Sequence, residues 1–245
     1  YHYHENAFVK GTFYKVLATI MQKLAHKIIC VSEYQASFLQ QKKCVITVPN
    51  ALPQNFVNRL TPNFQAAFKR KHILMLGSLK LYKSPLEFIE LTKRLPQFIF
   101  VLVINDTKEN INIFIKEYKI NISKNLTIYP QQNDVVPFYN QTSLVLNLSN
   151  KKQFVETFGL TALEAMSAGL PVIVPTEGGI AEMVVDGENG YKIDVQNLNQ
   201  IAECIKTILS DETLYMELAQ NALAYSKRFS EAKMVNSIEM ILNRK

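Results

Sequence analysis

Two glutamates, Glu156 and Glu164, stand eight positions apart in the segment FVETFGLTALEAMSAGLPVIVPTEGGIAEMVVDGENG, residues 154–190. A helix is expected over residues 158–168. Eight residues of helix rise about 12 Å. Glu156 would precede the helix, and Phe158, Gly159 and Leu160 would present backbone N–H groups to an anion at its positive end. Glu164 falls among Leu160, Leu163, Ala165 and Ala168, where an acid needs a partner or a purpose. A capping acid followed by a surface glutamate is the plain alternative, and it leaves Glu164 unexplained. Carboxylates at both ends of an anion site suit an elongated ligand with phosphates in the middle and hydroxyl groups at its extremities. A nucleotide-sugar has that form.

These residues need a rigid frame, and strands alternating with helices supply one. Apolar runs read as strands in HKIICVS, KCVITV, HILMLGSL, FIFVLVIN, NLTIYP, SLVLNLS, PVIVP and GYKIDV. Helices are expected over 12–29, over EYQASFLQQ with Ser32 as its cap, over SPLEFIELTKRL with Pro85 in its first turn, and through 197–245. INIFIKEYK reads as helix from its lysine and glutamate positions, and DVVPFYNQT as a short helical segment. Such alternation predicts an α/β fold with a parallel sheet covered on both faces. In these sheets ligands bind beyond the carboxyl ends of the strands. Gly77, Asn105, Pro130, Ser149 and Pro175 lie at those ends. Residues 53–70, polar and carrying Pro53 and Pro62, read as an irregular linker.

Composition narrows the classes. The chain has 245 residues, 48% of them hydrophobic, which suits a globular protein of one large or two modest domains. No apolar run reaches the length that spans a bilayer. The net charge of +6 is spread along the chain, which fits a solvated surface and leaves a peripheral contact with anionic lipid open. No basic stretch interleaved with aromatics points to nucleic acid. Cys30, Cys44 and Cys204 have neither metal nor redox spacing and read as small apolar residues of a reducing compartment. His26 and His72 sit in apolar settings and read as packing residues. No G-x-G-x-x-G follows a predicted strand, which argues against a nicotinamide-dependent dehydrogenase. The opening at Tyr1, without methionine, reads as a cut within a longer protein.

ETFGLTALEAMSAGLPVI resembles the signature of the family 4 nucleotide-sugar glycosyltransferases (group 1) of GT-B fold, with seven residues between the two glutamates. TEGGIAEMVVDGENGYKI, KIICVSEYQASFL and ILMLGSLKLYKSPLEFI are similar to the family's Gly-Gly loop, the end of its acceptor domain and the start of its donor domain. The resemblance implies a Rossmann-like donor domain over 71–229. Residues 1–55 would be the last part of an acceptor-side Rossmann-like domain, 56–70 a linker, and 230–245 a helix that crosses back to the first domain. Glu164 would hold the ribose hydroxyls, and Glu156 would sit beside the transferred sugar as a catalytic residue. Lys83 would bind the diphosphate and neutralise charge on the leaving group. Gly77, Ser78, Thr157, Phe158, Gly159 and Leu160 would line the donor site, and Gln132 would lie near the base. Gly178 and Gly179 would bring backbone close to the sugar or form a simple turn. His2 and His4 would end a strand that supplies a histidine to the reacting centre, a plain chain terminus being the alternative.

Two departures stand out. Ser78 replaces the arginine that usually follows the glycine, so a bidentate phosphate clamp is missing and Lys80 is a candidate substitute. Ser84 replaces a glycine that often follows the lysine. The resemblance implies a retaining hexosyltransferase that uses a UDP or GDP sugar, with no cofactor. No Asp-x-Asp occurs, which fits a metal-independent enzyme. The acceptor would be a glycan or lipid-linked saccharide of the cell envelope. The enzyme would be cytoplasmic or peripheral at the inner face of the membrane. A non-catalytic module that binds a nucleotide-sugar is the alternative.

Overall fold

The computed structural model describes residues 2–3, 12–39 and 44–243. A small parallel sheet comes first, in the order β1 (His2–Tyr3), β2 (Ile28–Cys30), β3 (Val45–Thr47). Helix α1 (Thr12–Leu24) precedes β2, and α2 (Glu33–Ser37) follows it. Ser32 caps α2, its hydroxyl accepting from the Gln35 N–H at 3.1 Å. Ile28, Cys30 and Leu39 form a small core of their own.

The larger sheet contains β4 (His72–Gly77), β5 (Ile99–Ile104), β6 (Leu126–Tyr129), β7 (Leu144–Leu146), β8 (Val172–Val174) and β9 (Gly190–Lys192). All its strands are parallel, in the order β6-β5-β4-β7-β8-β9. Strands β7 and β8 are buried on both faces, which is why they read as unbroken apolar runs. The covering helices are α5 (Pro85–Arg94), α6 (Lys108–Glu117), α7 (Val136–Asn140), α8 (Leu160–Ser167), α9 (Leu198–Ser210) and α10 (Glu212–Ser226). The strand order reverses direction between β4 and β7. A crevice opens there at the carboxyl ends of the strands. This is the α/β architecture with a parallel sheet covered by helices that the sequence led us to expect.

Segment 53–70 departs from the irregular linker expected of it. It forms α3 (Gln54–Val57) and α4 (Phe64–Arg70). The Asn63 carboxamide caps α4 by accepting from the Ala66 N–H at 3.0 Å, and Lys71 closes the helix in the left-handed conformation. Ala67 is buried in the main core, with Phe64 and Phe68 packed against it. Ser143 secures the helix to the sheet: its hydroxyl donates to the Ala67 carbonyl and accepts from the His72 N–H.

After α10 the chain returns to this region. Leu52 pairs with Ser230, and the Gln54 N–H donates to Glu231 at 2.8 Å. The last helix, α11 (Glu231–Asn243), starts there and buries no residue fully. The apolar stripe of α1 likewise faces outward, with Phe13 74% and Leu24 72% exposed. His72 is half-buried and bonded to the Gln141 backbone, and burial holds its imidazole below the usual histidine range. His26 is exposed, contrary to the packing role expected of it, because it falls in the turn after α1. His2 lies in β1, and His4 lies outside the described residues. Burial pushes the thiols of Cys30 to about 11 and Cys204 to about 12, as suits apolar packing. Among the described residues, no helix is long and apolar enough to cross a membrane.

Candidate functional site

A cavity of about 610 Å³ occupies the crevice. Its floor is made by strand ends: Leu76 and Gly77 of β4, Val103 of β5 with Asn105 just after it, and Asn147 just after β7. Ser78 and Lys83 enter from the loop after β4, and Gln132 and Val135 from the loop after β6. One wall is the segment from Glu156 to Thr161, and Asn50 closes the cavity from the small-sheet side.

That wall is the start of α8. Gly159 stands at its N-cap with φ +93°, so the helix begins at Leu160, two residues later than expected. Glycine has no side chain to cap with, and no acid occupies the first turn. The positive end of α8 therefore faces the cavity without a carboxylate of its own first turn to oppose it. Phe158 contributes backbone to the wall. Its ring is buried against Phe229, with centroids 5.8 Å apart.

Lys83 and Glu156 form an ion pair inside the cavity, with side chains 22% and 15% exposed. The Ser149 hydroxyl donates to Oε1 of Glu156 at 2.9 Å and lies 3.5 Å from Nζ of Lys83. The Lys83 ammonium also lies 4.7 Å from the centroid of Phe154, whose ring stacks on Tyr82. Lys80 is exposed and does not line the cavity, so it does not stand in for the arginine that Ser78 replaces. Ser84 is buried with φ +58° and its hydroxyl finds no partner among the described residues. That backbone conformation costs a residue other than glycine about 1–2 kcal/mol, which explains why glycine would suit this position.

Glu164 sits one turn beyond Leu160 and Thr161 and is not among the cavity-lining residues. Its half-buried carboxylate accepts from the Tyr139 hydroxyl on α7. Desolvation raises the Glu164 carboxyl above the usual carboxylate range, with the tyrosine hydrogen bond opposing it. Burial, and then this carboxylate, hold the Tyr139 phenol well above its ordinary value. A carboxyl raised in the folded state opposes folding increasingly as pH climbs past its ordinary value. Glu164→Gln is therefore expected to raise the thermal midpoint near neutral pH, with the gain fading below about pH 4.5. A midpoint difference independent of pH would remove the ionisation account.

The Gly-Gly loop supports the wall rather than approaching the cavity. The Gly179 N–H donates to the Glu156 carbonyl at 2.8 Å. A Cβ on Gly179 would lie 1.9 Å from the Thr157 carbonyl oxygen, and one on Gly178 would lie 2.5 Å from that of Glu156. Gly179→Ala should displace the segment that carries Glu156 and cost about 2 kcal/mol, as overpacking does. A thermal midpoint lower by roughly 4–8 °C checks this. An unchanged midpoint would mean that the loop yields freely.

The cavity gathers Gly77, Ser78, Lys83, Gln132, Glu156, Thr157, Phe158, Gly159 and Leu160, all named from the resemblance, and leaves out Glu164. Asn50, Asn105, Asn147 and Thr161 join them without having been assigned a role. Asn105 was visible as a strand end. Asn147 had no signal, and here it holds the Ser149 N–H at 3.1 Å and lies 3.4 Å from the Thr161 hydroxyl. Among the described residues, no three of His, Cys, Asp or Glu form a metal-binding group.

The family model for glycosyl transferases group 1 matches residues 59–225. An uncharacterised glycosyltransferase of Methanocaldococcus jannaschii is 29% identical over 239 residues, which is 95% of this chain and 63% of that protein. The N-acetyl-alpha-D-glucosaminyl L-malate synthase of Bacillus anthracis is 30% identical over 142 residues, 58% of this chain and 36% of that one. This chain thus spans less than two thirds of either relative. The fold matches that of Anabaena HepE in complex with UDP-glucose, with a TM-score of 0.83 at 19% identity, over 100% of this chain and 72% of that one. It also matches sucrose-phosphate synthase of Thermosynechococcus elongatus, with a TM-score of 0.81 at 20% identity, over 98% and 66% of the two chains.

Proposed function

The chain belongs to the glycosyl transferases group 1 family, and on that footing we propose that its cavity binds a nucleoside diphosphate sugar. The protein passes the hexose to a hydroxyl of a glycan or lipid-linked acceptor, with retention and without a metal. One observation carries the reading. A single cavity holds a lysine, the uncapped positive end of α8 and a carboxylate, next to a region of amides and valines.

Each feature has a task in that reaction. The diphosphate lies between the N–H groups at Leu160 and Thr161 and the Lys83 ammonium, which take up charge as the bond from the sugar to phosphate oxygen breaks. Glu156 stands beside the transferred sugar. Gln132, Asn105, Val103 and Val135, which line the same cavity, accept the base. The ribose lies toward Thr161, from which Glu164 is one further turn along the same helix. The likeness to Anabaena HepE in complex with UDP-glucose makes a uridine donor the first choice. The net charge of +6 is compatible with work at the cytoplasmic face of a membrane on envelope saccharides.

Thermal unfolding with UDP, GDP and ADP sugars tests the reading, since a ligand of the folded state raises the midpoint according to its affinity. A rise with a UDP or GDP sugar is expected. No rise with any of the three at millimolar concentration would overturn it.

A further inference from the structure

The Lys83–Glu156 pair poses a problem that the donor site must solve. Lys83 is the sole cation among the described residues that line the cavity, and it is paired with Glu156. A diphosphate draws the ammonium toward itself, and the carboxylate then loses its partner. A carboxylate so little exposed pays heavily for lost partners. Something must hold it while the lysine serves the phosphates.

Ser149 meets that need. It is 2% exposed, and its hydroxyl donates to the same Glu156 oxygen that Lys83 contacts. Its neighbours are tied to the frame on three sides. The Ser149 N–H donates to the Asn147 carboxamide, and the Asn150 N–H donates to the Tyr82 carbonyl at 2.7 Å. Lys151 pairs with Asp194 at 2.7 Å. Glu156, by contrast, is carried on the segment before α8, which rests on the Gly-Gly loop. A hydroxyl held in this way against a carboxylate is how a supporting group fixes a reacting one.

We propose that Ser149 is a positioning residue for transfer: its hydroxyl holds the Glu156 carboxylate in place when Lys83 turns to the donor diphosphate. This rests on the donor reading above. It assigns Ser149 no contact with the donor. Ser149 therefore acts in the reacting state and contributes little to donor capture.

The test uses the chain and its variants Ser149→Ala, Ser149→Thr, Glu156→Ala and the Ala/Ala double replacement. Turnover is read as UDP released from UDP-glucose. Ser149→Ala is expected to lower kcat about 10- to 100-fold, the worth of a hydrogen bond to a charged group, with the KM for UDP-glucose within about threefold. Ser149→Thr recovers most of the loss. Thermal midpoints of the parent chain, Ser149→Ala, Glu156→Ala and the double variant report the contact without any donor. The two single losses should exceed the loss in the double variant when summed, since the residues share one interaction. Additive midpoint losses would overturn the proposal, and so would a raised KM with kcat unchanged. Non-additive midpoints together with no response to any nucleoside diphosphate sugar would sink the donor reading, and this proposal with it, while leaving the Ser149–Glu156 contact established.

Discussion

Lys83→Ala is expected to lower sugar transfer by about 10²–10³-fold, because it removes the one side-chain cation that the described cavity offers to a leaving diphosphate. Nucleotide affinity should fall by about tenfold, the scale of a lost charge-assisted contact. Affinity for the nucleoside alone should not change, since Lys83 faces Glu156 and Ser149 rather than the amide-lined end of the cavity. Stability should fall too, because Glu156 is left without its counter-charge in a place where little water reaches it. Replacing both partners, Lys83→Met with Glu156→Gln, should restore much of that stability and none of the transfer. Equal loss of UDP and uridine binding in Lys83→Ala would show damage to the fold in place of a lost phosphate contact.

Glu156→Gln separates binding from turnover in the opposite direction. Removing the carboxylate releases the Lys83 ammonium and takes a negative charge away from the site proposed for the diphosphate. UDP affinity should therefore rise, by about 3- to 10-fold, even as transfer falls by about 10²-fold or more. The glutamine still accepts from the Ser149 hydroxyl, so the segment before α8 stays in place. Calorimetric titration with UDP and a turnover assay check the two halves. A variant that binds UDP more weakly than the parent would mean that Glu156 assists the phosphates rather than competing for their cation.

The frame was legible because burial on both faces leaves a plain trace. Leu144–Leu146 and Val172–Val174 read as strands since nothing polar interrupts them. The short helix α4 was missed although its signals were present: Asn63 as cap, and Phe64, Ala67 and Phe68 at helical spacing. Two prolines nearby outweighed them. The stripe of α1 was legible as a period, but a period does not tell which side of a helix finds a partner, and here Phe13 and Leu24 face outward.

At the site, the sequence revealed residue types and their neighbours along the chain, while contacts across the fold stayed hidden. Lys83 and Ser149 are 66 positions apart, and their meeting at Glu156 depends on how β4 and β7 lie side by side. Glu164 shows the same limit from the other side. Its spacing from Glu156 was plain, but its partner, Tyr139, comes from a separate helix, and that pairing sets it beyond the lining of the cavity. The Gly-Gly pair was noticed for its freedom, whereas its actual reason is the close passage of the Glu156–Thr157 backbone.

The proposed function requires one cavity that recognises a nucleotide by its diphosphate. Calorimetric titration of the protein and of Lys83→Ala with UDP and with uridine examines this directly. UDP should bind the parent more tightly than uridine, and Lys83→Ala should remove most of that advantage and leave uridine as it was. Equal affinity of the parent for UDP and uridine, or an advantage for UDP that survives in Lys83→Ala, would contradict it.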